Sequence, residues 1–249
     1  MRKVIVFDLD ETIGCFQFLS IYFNILIKIK KINDLKKNEI YYTLLDNFPR
    51  VFRPKIFKLF KKIIKEKKKK NFNVFLYTNN TGSRKYVLRI IKYIHKKLNY
   101  KLFDKVISGF GTNKIKRQGC YKTYSDISKY YNNRNVEVLF FDDRHHEKMI
   151  NKHSKCIILN EYSYDINFHS FIKIFKSINN KKKYLTANQL NNYFKKLNNY
   201  GLNFDILKKN KKEFKIINNE IINFIKKKSK TYKQKNIKKK KKTKKYIFF

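Results

Sequence analysis

Apolar residues follow one another along this chain in two rhythms. In the first they occupy consecutive positions: KVIVF from Lys3 to Phe7, NVFLYT from Asn73 to Thr78, VEVLFFDD from Val136 to Asp143 and, in shorter form, KCIILN from Lys155 to Asn160. Such runs predict strands buried on both faces, as in a parallel sheet covered by helices. In the second they recur every three or four positions. PKIFKLFKKIIKE from Pro54, with proline expected in the first helical turn, and SRKYVLRIIKYIHKKL from Ser83 predict amphipathic helices. Strands alternating with helices predict an α/β fold, a doubly wound parallel sheet with helices on both faces.

After about Tyr164 the strand-like runs stop. FHSFIKIFKSI and the stretch from Thr186 to Lys228 are helical and amphipathic in pattern. The expected organisation is a sheet domain over residues 1–164, a helical extension over 165–228 and a lysine-rich tail over 229–249. The tail includes KKKKKTKK and has the composition of a disordered segment.

The net charge of +43 comes from 61 basic and 18 acidic residues, and only eight of the basic ones are arginine. Lysine, Asn, Ile, Phe and Tyr are all abundant while alanine and tryptophan are nearly or wholly absent, so a biased genome accounts for much of the lysine. A selected polyanion-binding surface is the alternative. The tail carries three readings: compositional bias, a nuclear-import patch, or a nucleic-acid anchor. Cys15, Cys120 and Cys156 are scattered and odd in number, which suits a reducing compartment and neither a disulfide scaffold nor a zinc site. The start has no signal-peptide pattern, and the most lipid-like stretch, CFQFLSIYFNILI, has 13 residues where a span needs about 20. A soluble intracellular protein of nucleus or cytoplasm, without membrane partners, is expected. The stripe from Phe18 to Ile29 is expected to pack on the core.

Against this basic background three acids fall within four positions, in VIVFDLDETIG from Val4 to Gly14. Residues two apart on a strand point the same way, so Asp8 and Asp10 can face one site while Leu9 returns to the core. Ligands of such sheets sit at the carboxyl ends of the strands, where Asp8, Asp10, Thr78, Asp142 and Asp143 all fall. Carboxylates crowded together need a shared cation, and Mg²⁺, which takes hard oxygen ligands beside phosphate, is the natural one.

Asp8-Leu9-Asp10-Glu11-Thr12 resembles the DxDxT signature of the haloacid dehalogenase (HAD) superfamily phosphatases. Its LDET form is similar to the branch of the RNA polymerase C-terminal-domain phosphatases, the NLI-interacting-factor-like family. Three further motifs follow in order: a strand ending in Thr78, a lysine in GCYKTYSDIS, and the acidic pair of LFFDDRHH. Arg53-Pro54 stands where that branch commonly carries Arg-Pro. The resemblance spans about Lys3 to Leu159 and implies a HAD-like fold with a small insert after the first motif. This sequence departs from the branch in having Asp-Asp for Asp-Asn, Lys55 for the glycine after Arg-Pro, and Thr123 after the motif lysine.

The resemblance implies catalytic roles for Asp8, Asp10, Thr12, Thr78 and Lys122. Asp8 would be the nucleophile and Asp10 the general acid and base. Thr78, Asn79 and Lys122 would bind the substrate phosphate, and Lys114 or Lys116 could take the place of Lys122. Asp8, Asp10 (through its carbonyl), Asp142 and Asp143 would hold Mg²⁺. His145 and His146 are expected to be exposed loop residues, and Thr12 has the alternative reading of a helix cap. Neither gap between motifs has room for a large cap domain, which favours a phosphate on a bulky donor. The expected substrate is a phosphoserine or phosphothreonine protein. A nucleic-acid 3′-phosphatase is the alternative, suggested by TNN at Thr78–Asn80 and by the basic surface and tail; a non-catalytic binding protein is a third. The composition is similar to that of large DNA viruses with A/T-rich genomes.

Overall fold

The computed structural model describes residues 1–30, 34–80, 84–109, 121–164, 168–198 and 213–227. Strands β1 (Arg2–Phe7), β2 (Asn73–Tyr77), β3 (Lys105–Ile107), β4 (Val136–Asp142) and β5 (Ser154–Ile158) form one sheet in the order β3-β2-β1-β4-β5, and every pairing is parallel. The first strand therefore lies in the middle, with β2 and β4 on its flanks.

Strand alternation sorts the consecutive apolar residues onto two faces. Ile5, Phe7, Val74, Leu76, Leu139 and Phe141 look one way, while Val4, Val6, Phe75, Tyr77, Val138 and Phe140 look the other. The first face carries α1 (Gln17–Lys30), α2 (Asp34–Asn47), α3 (Ile56–Lys67) and α4 (Arg84–Leu98), whose buried side chains join one cluster. The second is covered more thinly, by Ile127 of α5 (Tyr124–Ser128), by Tyr131 and by Met149.

The segment after the first strand holds α1, α2 and a 3-10 turn at Pro49–Val51. Leu19, Tyr22, Phe23 and Leu26 of α1 are buried, so this stripe does pack on the core. Each such side chain contributes about 1.5–3 kcal/mol on burial. The α3 start differs from expectation. The helix begins at Ile56, and Lys55 before it has φ 66°, so Pro54 lies in the preceding turn rather than in the helix. Helix α2 has no clear signature in the sequence, because DLKKNEIYYTLLDN is only weakly amphipathic.

Helices α6 (Phe168–Lys182), α7 (Ala187–Asn198) and α8 (Glu213–Lys226) share the same core. The rings of Phe171 and Tyr22 lie 4.0 Å apart between centroids, and the Tyr193 hydroxyl donates to the Tyr22 carbonyl at 2.9 Å, fixing α6 and α7 on α1. Lys62 Nζ donates to Asn218 Oδ1 at 3.0 Å, joining α8 to α3. No helix among the described residues is long and apolar enough to cross a membrane. The lysine tail, Lys114, Lys116 and Cys120 lie outside the described residues.

Candidate active site

The parallel register brings the polar strand ends together. Phe7 is level with Leu76 of β2 and with Phe141 of β4, so Asp8, Tyr77 and Asp142 emerge in one row at the carboxyl edge. The Asp8 amide extends the ladder by donating to the Phe141 carbonyl at 2.9 Å. Asp8, Asp142 and Asp143 each present a carboxylate oxygen within 4.8 Å of the others.

Lys122 enters this cluster from the loop before α5. Its Nζ donates to Asp8 Oδ1 at 2.5 Å and to Asp142 Oδ2 at 2.6 Å, and the residue is 2% exposed. The backbone around it is anchored to the sheet. Thr123 caps α5 by accepting the Asp126 amide at 3.1 Å. The Tyr77 hydroxyl accepts the Thr123 amide at 3.0 Å and donates to Asp126 Oδ2 at 2.5 Å. The rings of Tyr77 and Phe140 lie 5.9 and 5.7 Å from the ammonium.

A single buried ammonium does not balance this many carboxylates. Burial pushes the Asp8 carboxyl well above the usual carboxylate range; Lys122 opposes the shift and the neighbouring Asp142 adds to it. For Asp142 burial also raises, but hydrogen bonds from His146 and Lys122, the lysine charge and the Arg144 amide together hold it below the ordinary value. Oxygen donors alone, converging with excess negative charge, are the donor set of a hard divalent cation. The residues present therefore fit Mg²⁺, with Asp8, Asp142 and Asp143 as side-chain ligands.

The loop after Asp8 is tightly tied. Leu9 is fully buried, and the chain turns back so that the Ile13 amide reaches the Leu9 carbonyl at 2.9 Å. Glu11 takes the left-handed conformation, φ 61°, to make the reversal. Gly14 is required by close approach, since a Cβ there would lie 2.4 Å from the Val51 carbonyl oxygen. Arg53, buried at 4% exposure, clamps the loop: Nε donates to the Thr12 carbonyl at 2.6 Å, and Nη2 donates to those of Glu11 at 2.6 Å and Asn160 at 2.8 Å. The Arg-Pro pair marks its place in the sequence, but its carbonyl partners leave no signal there.

Asp10 is not one of the three clustered carboxylates, and its Oδ2 accepts from Asn80 Nδ2 at 2.8 Å. Burial raises its pKa, and the Asn80 hydrogen bond only partly offsets this. Burial thus raises both Asp8 and Asp10, and it is their partners that differ, Lys122 on Asp8 and Asn80 on Asp10. Thr12 Oγ1 donates to Asp143 Oδ1 at 3.1 Å. It does not cap a helix, as α1 starts only at Gln17. Thr78 is fully buried, with its amide on the Ile107 carbonyl and its hydroxyl accepting the Asn80 amide at 3.0 Å. Asn79 is exposed at the rim, and it is the next residue, Asn80, that touches Asp10.

One expectation is corrected. His145 is exposed, but the His146 side chain is only 10% exposed, and its Nε2 lies 3.1 Å from Asp142 Oδ2. The turn after β4 carries the ring back over Phe140, 5.9 Å between centroids, where apolar packing holds it on the carboxylate.

No family model matches the sequence, and no curated protein is similar to it. Among solved structures, the chain is similar to YfnB of Bacillus subtilis, assigned as a HAD-hydrolase, in a form bound to magnesium. The two are 12% identical, the match covers 58% of this chain and 79% of that one, and the TM-score is 0.29. An overlap this slight carries no argument, so the chemistry rests on the geometry above.

Proposed function

We propose that this protein is a Mg²⁺-dependent phosphomonoester hydrolase of the HAD type, working through an aspartyl-phosphate. One observation carries the reading. Asp8, Asp142 and Asp143 converge within 4.8 Å, Lys122 bridges Asp8 and Asp142, and a fourth carboxyl, Asp10, stands two residues from Asp8 with Asn80 on it.

An Asp8 carboxylate oxygen attacks phosphorus and forms an O–P bond, and the bond to the leaving oxygen breaks. Asp10 gives that oxygen its proton. Water then attacks the aspartyl-phosphate, Asp10 takes the water's proton, and inorganic phosphate leaves with Asp8 restored. Splitting the hydrolysis in this way replaces one difficult step by two easier ones, and a positioned acid–base group adds about 10²–10⁴-fold. Lys122 and Thr78 face the phosphoryl oxygens, where charge gathers during transfer. When bound, Mg²⁺ would neutralise the carboxylates and the phosphate, held by Asp8, Asp142 and Asp143. Thr12 would orient Asp143, and Arg53 would hold the loop that carries Asp10.

The resemblance in the sequence points to a phosphate carried on a large donor, either a phosphoserine or phosphothreonine protein or the end of a polynucleotide, and the scattered cysteines suit a reducing, intracellular site of action. A fold that has lost turnover is disfavoured by the presence of every acid the reaction requires. The test is phosphate release from p-nitrophenyl phosphate with Mg²⁺ and with excess chelator, using wild type and Asp8→Asn. Release that needs the metal and vanishes in the variant supports the reading, and equal release by the variant refutes it.

A further inference from the structure

Beside Asp10 a cleft of about 570 Å³ runs between the strand tips and the insert. One wall is α1, with exposed Gln17 and Asn24 next to Phe23; the other is Asn79 and Asn80 followed by Tyr86 and Arg89 of α4. The Arg89 guanidinium lies 5.2 Å over the Phe23 ring and its Nε donates to Asn38 Oδ1 at 3.2 Å. Arg89 also lines a second cavity, of about 190 Å³, with Asn38, Lys85, Leu88 and Lys92. The two cavities therefore meet at one cation.

From that point the charge continues along the helix. Lys85, Arg89, Lys92 and Lys96 are spaced four, three and four residues apart, which places them on one face of α4. No acid occurs anywhere in the helix. On the neighbouring α2, Asp46 is paired with Lys97 at 2.6 Å and also acts on Lys96, so it offsets only the far end of the stripe. From Lys85 to Lys96 the stripe extends about 16 Å at 1.5 Å per residue, the length of about five stacked nucleotides at 3.4 Å each.

We infer that the substrate is a single-stranded nucleic acid bearing a terminal phosphomonoester, with the strand itself as the leaving group. Its last nucleotide occupies the cleft beside Asp10, and its backbone follows Lys85, Arg89, Lys92 and Lys96 along α4. This rests on the phosphatase reading and names its substrate class. The chemistry of the two cavities differs in the way such a ligand does. The exposed amides of Gln17, Asn24 and Asn79 suit base edges in the cleft, whose aromatic rings are buried beneath them, and a regular row of cations suits successive phosphodiesters beyond it. A phosphoprotein offers a repeating charge only where acidic residues happen to flank the phosphate.

The experiment uses the full chain with Mg²⁺ and measures phosphate release from four kinds of substrate: p-nitrophenyl phosphate, a nucleoside monophosphate, DNA and RNA octamers phosphorylated at the 3′ or the 5′ end, and a phosphoserine peptide with acidic flanks. An octamer is expected to have a KM about tenfold or more below the mononucleotide in low salt. Lys85→Gln/Lys92→Gln should erase most of that gain and lower the slope of log KM against log salt by about 0.7 for each lysine–phosphate pairing removed. Lys61→Gln/Lys65→Gln on α3 removes the same charge from residues lining neither cavity, and should leave the gain in place. Turnover of p-nitrophenyl phosphate without an octamer preference, a better acidic phosphopeptide, or equal loss in both double variants overturns the inference while the phosphatase reading stands. If no ester is turned over, that reading fails. Fluorescence anisotropy of the octamers on the same two double variants then decides the track, with equal weakening counting against it.

Discussion

Lys122 reaches across 114 positions of sequence to place its Nζ 2.5 Å from Asp8 Oδ1, and the same nitrogen lies 2.6 Å from Asp142 Oδ2. It is the buried counter-charge of two strand ends that the register of β1 and β4 forces together. Replacing it by Met leaves two buried carboxylates facing each other. Breaking such a pair costs on the order of 3–5 kcal/mol, and turnover should be lost with it. Because a cation that binds only the folded chain stabilises it, Mg²⁺ should recover part of the melting temperature in Lys122→Met without restoring activity. Thermal melts with Mg²⁺ and with chelator check this; a variant as stable as wild type contradicts the role.

Arg53 is the second buried cation near the site, and it donates to carbonyls instead of acids. Arg53→Lys cannot reach all three with its single nitrogen. Leaving buried acceptors without donors should cost on the order of 3 kcal/mol, read from the midpoint of denaturant unfolding. With a loosened Asp10 loop, kcat should fall more than KM rises.

Lys55 occupies the left-handed region, φ 66°, directly before α3. A left-handed residue with a Cβ is strained by about 1–2 kcal/mol, while glycine brings an entropic cost of about 0.5–1 kcal/mol. Lys55→Gly should therefore stabilise the fold slightly, by up to about 1 kcal/mol in denaturant melts. It is the position where the resemblance leads one to expect glycine, so the backbone has kept a conformation that its side chain does not favour.

His95 accepts the Phe103 amide at 3.2 Å through Nε2. Burial, with the charges of Lys101 and Lys67, pushes its pKa from 6.5 down to about 4. Above pH 6.5 the ring is neutral whether the chain is folded or not. Between there and about pH 4 the unfolded chain takes up a proton that the folded chain refuses, so stability falls as pH falls through that window. His95→Gln keeps an acceptor and cannot titrate, so its melting temperature should decline less than that of wild type over the same range.

The strand ends can be read in the sequence because the short apolar runs of the strands each stop at a polar group, although runs such as Ile21–Phe23 and Ile25–Ile27 lie in helix α1. Asp8, Thr78 and Asp142 thus sit at the sheet edge expected of them. The start of α3 is not legible in this way, because whether Pro54 opens a helix depends on the backbone angle of Lys55, which tertiary contacts impose. Helix α2 has too weak an apolar face to announce itself. His146 reads as exposed beside His145, since the turn that swings one ring inward and the other outward is set by packing on Phe140. Arg53 and Asn80 act on a backbone and on a side chain distant in sequence, and neither partner is written nearby.

The central claim is that Asp8 carries the phosphoryl group between two half-reactions. With Asp10→Asn the water in the second step loses its base, whereas p-nitrophenolate leaves in the first step without needing a proton, so the phosphorylated form should build up when the variant is mixed with p-nitrophenyl phosphate and Mg²⁺ and quenched in acid. Mass spectrometry of the digested protein should find the phosphoryl group on the peptide containing Asp8, and hydroxylamine should remove it, as an acyl phosphate requires. Phosphate located on any other residue, or no covalent form while the wild type turns over, would contradict the account.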